Sequence, residues 1–305
     1  MYDGSVIGIR DPLGIRPLCI GKLDDGYIIA SESVAIDVLD GELVRDVRPG
    51  EVVVLDDDGE GFESYQLFDR RPAHCFFEYV YFSRPDSEID DRLVYDVRRE
   101  LGRLLYDNYG VDTDIVSPVP DSGRAFASGY AEASEGEVEY AESLMKNRYV
   151  GRTFIMPTQD ARETAVRLKL NTIKSNIEGK TVTLVDDSVV RGTTSSQLVK
   201  LLKQKGAKEV HLRIGSPPII SPCYLGIDMA TRDELMASDK SVDEIRDEVG
   251  ADSLKYLGVE EISEALGMPA DNLCTGCVSE EYPLEIEGET CARVESEGSE
   301  RAGAD

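Results

Sequence analysis

VTLVDDSVVRGTT, residues Val182 to Thr194, decides how this chain is read. Val182 to Val185 are β-formers in a row, the pattern of a short buried strand. Asp186 and Asp187 stand side by side where that strand ends, and Arg191 and Gly192 turn the chain into Thr193, Thr194 and an amphipathic helix expected over Ser195 to Lys205. Ligands of open α/β sheets sit at the carboxyl ends of strands, and the first turn of a helix offers unpaired N–H groups to phosphate. The stretch therefore reads as a phosphate turn beside a carboxylate pair suited to a metal. It is neither a Walker A loop nor a dinucleotide fingerprint, because no Lys follows the glycine and G-x-G-x-x-G is absent. A solvated β-to-α turn is the plainer alternative.

The same grammar occurs upstream. Asp112 and Asp114 precede the apolar pair Ile115 and Val116, then the turn-rich loop Ser117-Pro118-Val119-Pro120-Asp121-Ser122-Gly123-Arg124, then a helix from Ala125. Glu209 to Ile214 reads as the next strand. This alternation predicts an α/β fold with a mainly parallel sheet and flanking helices. Between the two motifs, residues 143 to 176 gather Lys146, Arg148, Arg152, Arg162, Arg167, Lys169 and Lys174. Gly151 and Pro157 permit movement there, so the segment reads as a cover over an anionic substrate; an ordinary charged surface is the alternative.

Farther out, Leu93, Val94, Val97, Leu101, Leu104 and Leu105 recur at helical spacing. Helices are also expected over Asp243 to Val249 and Val259 to Leu266. HCFFEYVYFSRPDS, from His74, is aromatic-rich and alternates before Pro85. The first 70 residues are β material with short hairpins: Ser5 to Ala30 alternates apolar runs with turns such as Asp11-Pro12-Leu13-Gly14, and strands are expected over Leu43 to Val47 and Glu51 to Leu55. Val6 to Ile9 looks like an interior strand with almost nothing before it, so the region reads as the end of a domain. After Glu280 the chain is polar, acidic and aperiodic, a disordered tail. The expected organisation is thus 1–70, 71–280 and 281–305.

Composition narrows the function. The 305 residues hold 33 Lys and Arg against 60 Asp and Glu, a net charge of -27. A nucleic-acid or anionic-membrane partner needs a basic face, so neither is expected. Such diffuse acidity suits a protein hydrated in a halophilic cytoplasm. No apolar run is long enough to span a membrane and no signal peptide is evident. Of the six cysteines, Cys274 and Cys277 form a C-x-x-C that can hold one metal centre, and Cys75 and Cys223 sit beside turns where ligands could point inward. Zinc and iron–sulfur both suit four thiolates, and spacing does not choose between them. Cys19 reads as core, and Cys291 lies in the tail.

VTLVDDSVVRGTT resembles the 5-phosphoribosyl-1-pyrophosphate (PRPP) motif of type I phosphoribosyltransferases. With RDPLGIRPLCIG, ASES, RDVRPGE, FFEYVYFSRPDS, SPVPDSG, KNRYVGRTFI, RLKLN, SPPI, PCYLGID and CTGC, running from Arg10 to Cys277, the ensemble is similar to the amidophosphoribosyltransferase family. The resemblance implies a type I phosphoribosyltransferase fold preceded by the C-terminal remnant of an N-terminal-nucleophile glutaminase αββα domain. It implies a glycosyltransferase of purine biosynthesis that moves ammonia, taken from glutamine in the full-length enzyme, onto PRPP to give 5-phosphoribosylamine and pyrophosphate. PRPP contacts fall on Asp121, Ser122, Gly123, Arg124, Arg148, Arg152, Lys169, Asp186, Asp187, Arg191, Gly192, Thr193 and Thr194, with magnesium on Ser122, Asp186 and Asp187. A [4Fe–4S] cluster is implied on Cys75, Cys223, Cys274 and Cys277. Purine nucleotide inhibitors, a dimeric or tetrameric homo-oligomer and a cytoplasmic location are implied as well.

One departure stands out. The family's glutaminase nucleophile is an N-terminal cysteine, whereas this chain opens Met1, Tyr2, Asp3. Cys19 is internal and has no free α-amine to serve as base. The expectation is a chain lacking the glutaminase nucleophile, which transfers free ammonia but does not hydrolyse glutamine. A base-salvage phosphoribosyltransferase and a non-enzymatic PRPP-sensing or structural cluster protein are the competing readings.

Overall fold

The computed structural model describes residues 5–56, 61–147, 170–227, 231–286 and the backbone of 290–291. Two compact units emerge, interleaved along the chain. One comprises Met1–Arg98, Ser221–Met229 and Val259–Asp305, the other Arg99–Ile220 and Ala230–Gly258.

In the first unit, two three-stranded antiparallel sheets share a small apolar core. One orders Val6–Ile9, Glu51–Leu55 and Phe62–Gln66, the other Gly26–Ala30, Cys19–Leu23 and Glu42–Asp46. Ile20, Val47, Val53 and Leu55 form that core, with Tyr27, Ile29 and Phe62 packed against it. Val6–Ile9 lies at a sheet edge, not in an interior, and pairs among the described residues only with Glu51–Leu55. The Asp11 turn forms as read: its carboxylate accepts the N–H of Leu13 at 2.9 Å and of Ile15 at 3.1 Å, and Gly14 takes φ +61°. Arg10, buried just before it, donates to both oxygens of Asp90 and to the Val47 carbonyl. The aromatic stretch does not continue as a strand: Glu78–Phe82 winds into a π-helical turn, with Glu78 bonded to Ser83 at 2.7 Å.

Glu51 is the charged anchor of this β-sandwich. It is 1% exposed, and its carboxylate accepts bonds from Arg45 at 2.7 and 2.9 Å, from the Arg48 N–H at 2.6 Å and from the Ser64 hydroxyl. Burial alone would raise its pKa; these donors outweigh burial and hold it down at about 2, from 4.5. An acid depressed in the folded state stabilises above its ordinary pKa, and that contribution is lost as pH falls through the folded value. Glu51→Gln should therefore cost about 2 kcal/mol at pH 7, allowing for the part-exposed Arg45. The gap to wild type should close as pH drops from about 4.5 towards 2. Urea melts across that range test this, and a pH-independent gap would remove the charge from the account.

The second unit is built on a five-stranded parallel sheet in the order Glu139–Tyr140, Ile115–Pro118, Thr181–Asp186, Glu209–Ile214, Ser253–Tyr256. The inner strands are buried on both faces, as parallel strands under helices must be. Ile115, Val182, Leu184, Leu198, Leu202, Leu212 and Ile245 lie in its core. Helices Arg124–Ala133 and Thr193–Gln204 follow the strands Ile115–Pro118 and Thr181–Asp186, and Val242–Val249 precedes the last strand. Leu144–Lys146 forms a separate antiparallel pair with Leu170–Thr172, Lys146 opposite Leu170. In chain order the sheet runs second, first, third, fourth, fifth. The order reverses between Ile115–Pro118 and Thr181–Asp186, and that switch point is where such sheets open a ligand crevice.

Candidate functional site

Two loops leave adjacent strands at the switch point. From Ile115–Pro118 the chain folds back on its neighbour, the Val119 N–H donating to the Val185 carbonyl at 2.8 Å. Gly123 is required there, because a Cβ would stand 2.4 Å from the Val185 oxygen. This close seat carries Ser122 towards Asp186, to which its hydroxyl donates over a long 3.5 Å. Asp121 is held between two cations, Lys146 Nζ at 2.6 Å and Arg124 at 3.0 Å, and Arg124 also donates to Glu142 at 3.1 Å.

The second loop follows Thr181–Asp186. Asp186 and Asp187 are 9% and 4% exposed. Asp186 accepts the Asp187 N–H at 3.0 Å, and Asp187 accepts the Ser188 hydroxyl at 2.5 Å. Burial, and then the adjacent charge of Asp187, push the Asp186 carboxyl well above its ordinary value. Two buried carboxylates in this state fit a divalent cation, whose charge would remove the penalty on ionising both. Gly192 then turns the chain at φ +67° into the helix Thr193–Gln204, which begins two residues before the expected Ser195. With glycine as cap, the cap residue has no side chain to bond the first-turn N–H groups, which is the arrangement that receives phosphate. Thr193 and Thr194 are exposed. Arg191 is also exposed, and ion-pairs with Glu234 at 2.9 Å.

The fold thus gathers Ser122, Asp186 and Asp187 at one strand end, with Gly192, Thr193 and Thr194 on the turn that follows. Asp121 and Arg124 engage each other instead, along with Lys146 and Glu142. Arg148, Arg152 and Lys169 lie outside the described residues. Glu142 and Glu234 carried no signal in the sequence, since each is distant in the chain from the arginine it meets. Lys146 was visible only as one cation among the seven between 143 and 176.

The cysteine expectation is corrected. In the first unit Cys75 and Cys274 are register partners on short parallel strands. Burial, then the charges of Glu78, Cys274 and Cys223, push the Cys75 thiol up, and burial with the charges of Cys75, Cys274 and Cys223 does the same to Cys277. Yet among the described residues no group of three or more Cys, His, Asp or Glu side chains is disposed to hold a metal ion. The iron–sulfur assignment to Cys75, Cys223, Cys274 and Cys277 is therefore withdrawn. C-x-x-C spacing brings two sulfurs near each other and does not by itself set four at metal-binding distance.

A parallel sheet in this order, with an acid pair and a phosphate turn leaving one strand at the switch point, defines a type I phosphoribosyltransferase domain. No family model matches the chain. It is 52% identical over 95% of its length to the amidophosphoribosyltransferase of Archaeoglobus fulgidus, and 46% identical over 95% to that of Bacillus subtilis. The solved glutamine PRPP amidotransferase of B. subtilis, complexed with ADP and GMP, superposes with a TM-score of 0.87 at 44% identity over 96% of this chain. The chain belongs to the amidophosphoribosyltransferase family. It spans 64% and 61% of the two relatives' length and 65% of the solved chain. No helix among the described residues is long and apolar enough to cross a membrane.

Proposed function

We propose that this site transfers the 5-phosphoribosyl group of PRPP to ammonia, releasing pyrophosphate and forming 5-phosphoribosylamine. The observation that carries the reading is the joint placement of the acid pair, Ser122 and the phosphate turn at the switch point. The turn Arg191–Thr194 takes the 5′-phosphate, largely through N–H groups of the helix start. Asp186 and Asp187 orient the ribose hydroxyls and, with Ser122, would hold magnesium. When bound, magnesium would supply positive charge to the departing pyrophosphate. The loop Asp121–Arg124 lies on the pyrophosphate side, and Arg148, Arg152 and Lys169 are assigned to the cover. No enzyme nucleophile is required: ammonia attacks C1 while the pocket contributes orientation, leaving-group electrostatics and exclusion of water.

The reading extends to a cytoplasmic homo-oligomer inhibited by purine nucleotides; the ADP and GMP held by the B. subtilis enzyme support the last point. The antiparallel sandwich near the N-terminus is assigned to the glutaminase portion, the parallel sheet to the transferase portion and residues beyond 280 to a tail.

Pyrophosphate release from PRPP and magnesium tests the transferase. Ammonium chloride should support turnover, while adenine, guanine and uracil should support less than about a hundredth of it. Preference for a base would establish the salvage reading instead, and PRPP binding without turnover would establish a sensor.

A further inference from the structure

A segment 43 residues downstream is folded against the phosphate turn. Three contacts join them, all within the second unit. The Met236 N–H donates to the Val190 carbonyl at 2.9 Å. Gly192 backs directly on the Met236 side chain, where a Cβ would stand 2.3 Å from its sulfur. Arg191 donates to Glu234 Oε2 at 2.9 Å. Leu235 and Met236, 2% and 7% exposed, anchor the segment in the interior.

The first two contacts fix the backbone of the turn without any charge. Glu234 is not needed for that purpose, and what it adds is a negative charge on the guanidinium beside the turn. Arg191 and Glu234 are 55% and 51% exposed at the side chain. A pair so exposed contributes little to folding, so its consequence lies in what else could use the cation.

We propose that Glu234 sets phosphate affinity: it occupies Arg191 in the ligand-free site and competes with the incoming 5′-phosphate for that guanidinium. This rests on the PRPP reading of the site and goes beyond it, since it assigns a role to a residue outside the acid pair and the phosphate turn. A phosphate dianion entering the turn must either take Arg191 from Glu234 or bind against the field of a like charge. Both weaken binding at the phosphate end alone, leaving the chemistry at C1 untouched. In a chain with net charge -27, local cancellation of this one cation decides whether the turn attracts or merely accepts an anion.

Glu234→Gln keeps the size and an acceptor oxygen while removing the charge. In the full chain, calorimetric titration with magnesium–PRPP, and separately with inorganic phosphate, should give about three- to fivefold tighter binding at low salt. That is the scale of like-charge repulsion over a few ångströms beyond contact in a water-like dielectric. The KM for PRPP should fall by the same factor with kcat unchanged, the advantage should vanish near 1 M salt, and the melting temperature should not move. Removing Arg191 as well, in Arg191→Ala/Glu234→Gln, should abolish the gain. Unchanged or weaker PRPP binding by folded Glu234→Gln overturns the proposal, as does a gain that persists at high salt. A wild-type chain that binds neither probe removes the transferase reading itself, and the role of Glu234 with it; a failure confined to the variant removes only the competition.

Discussion

Asp186→Asn should make the ligand-free protein more stable while reducing ammonium-dependent pyrophosphate release at least about a hundredfold. Asp186 is buried against a second carboxylate, and both burial and that neighbour oppose its ionisation. An acid whose folded pKa is raised destabilises the fold once pH climbs above its ordinary value of 3.8, and increasingly so until the raised value is passed. Asparagine has the same shape and no such cost. The variant should melt above wild type at pH 7, and the gain should shrink as pH falls towards 4. Activity moves the other way, because the carboxylate whose ionisation burial opposes is the group that would hold magnesium and orient the ribose. This is the expected trade between stability and function at a preorganised site. A variant that melts below wild type at pH 7 would show that Asp186 is structural, and one with near wild-type turnover would place the metal elsewhere.

Gly129→Ala carries the largest expected loss of stability. In the second unit, Gly129 of the helix Arg124–Ala133 faces the Arg99 carbonyl, and Gly102 of the helix Val94–Tyr109 faces the Phe126 carbonyl; an added Cβ would stand 1.9 Å from the oxygen in either case. The obstacle is helical backbone, which has no rotamer to yield, so the two helices must separate by more than an ångström. The cost should be about 3 kcal/mol or more, near 10 °C in melting temperature for a unit of this size. Activity should fall beyond what unfolding explains, since the helix Arg124–Ala133 begins at the loop that holds Ser122. Displacing that loop by an ångström is worth orders of magnitude in rate. Thermal melts and turnover at a temperature where both proteins are folded separate the two effects. Melting within about 2 °C of wild type would mean that the crossing is looser than its geometry.

Legibility followed the range of the interactions. The strands Glu51–Leu55 and Glu209–Ile214 and the helix Val259–Leu266 were read to the residue, because their patterns are local and strong. Glu139–Tyr140 and Ser253–Tyr256 carry no such pattern; each is a strand only because a neighbour supplies its parallel partner. The alternation in FFEYVYF suggested an extended chain, but Glu78 is bonded to Ser83 and to Arg16, and the backbone closes into a π turn around it. At the site, Asp186, Asp187 and Gly192 were legible because strand end, acid pair and glycine turn are contiguous. Ser122 reaches Asp186 only through the sheet order, and Glu234 reaches Arg191 only through the seat of Leu235 and Met236 in the core. The cluster on the four cysteines came from the resemblance, and among the described residues no such group is disposed to hold a metal.

The small antiparallel pair Leu144–Lys146 with Leu170–Thr172 has a bearing on how this fold can diverge. With Lys146 opposite Leu170, the ends of whatever sequence connects them are clamped one strand spacing, about 5 Å, apart. The sheet and its core therefore receive the same two anchor points whether the connection is long or short, basic or neutral. Such a connection behaves as an exchangeable cassette: selection can rewrite its length and charge without renegotiating the scaffold beneath.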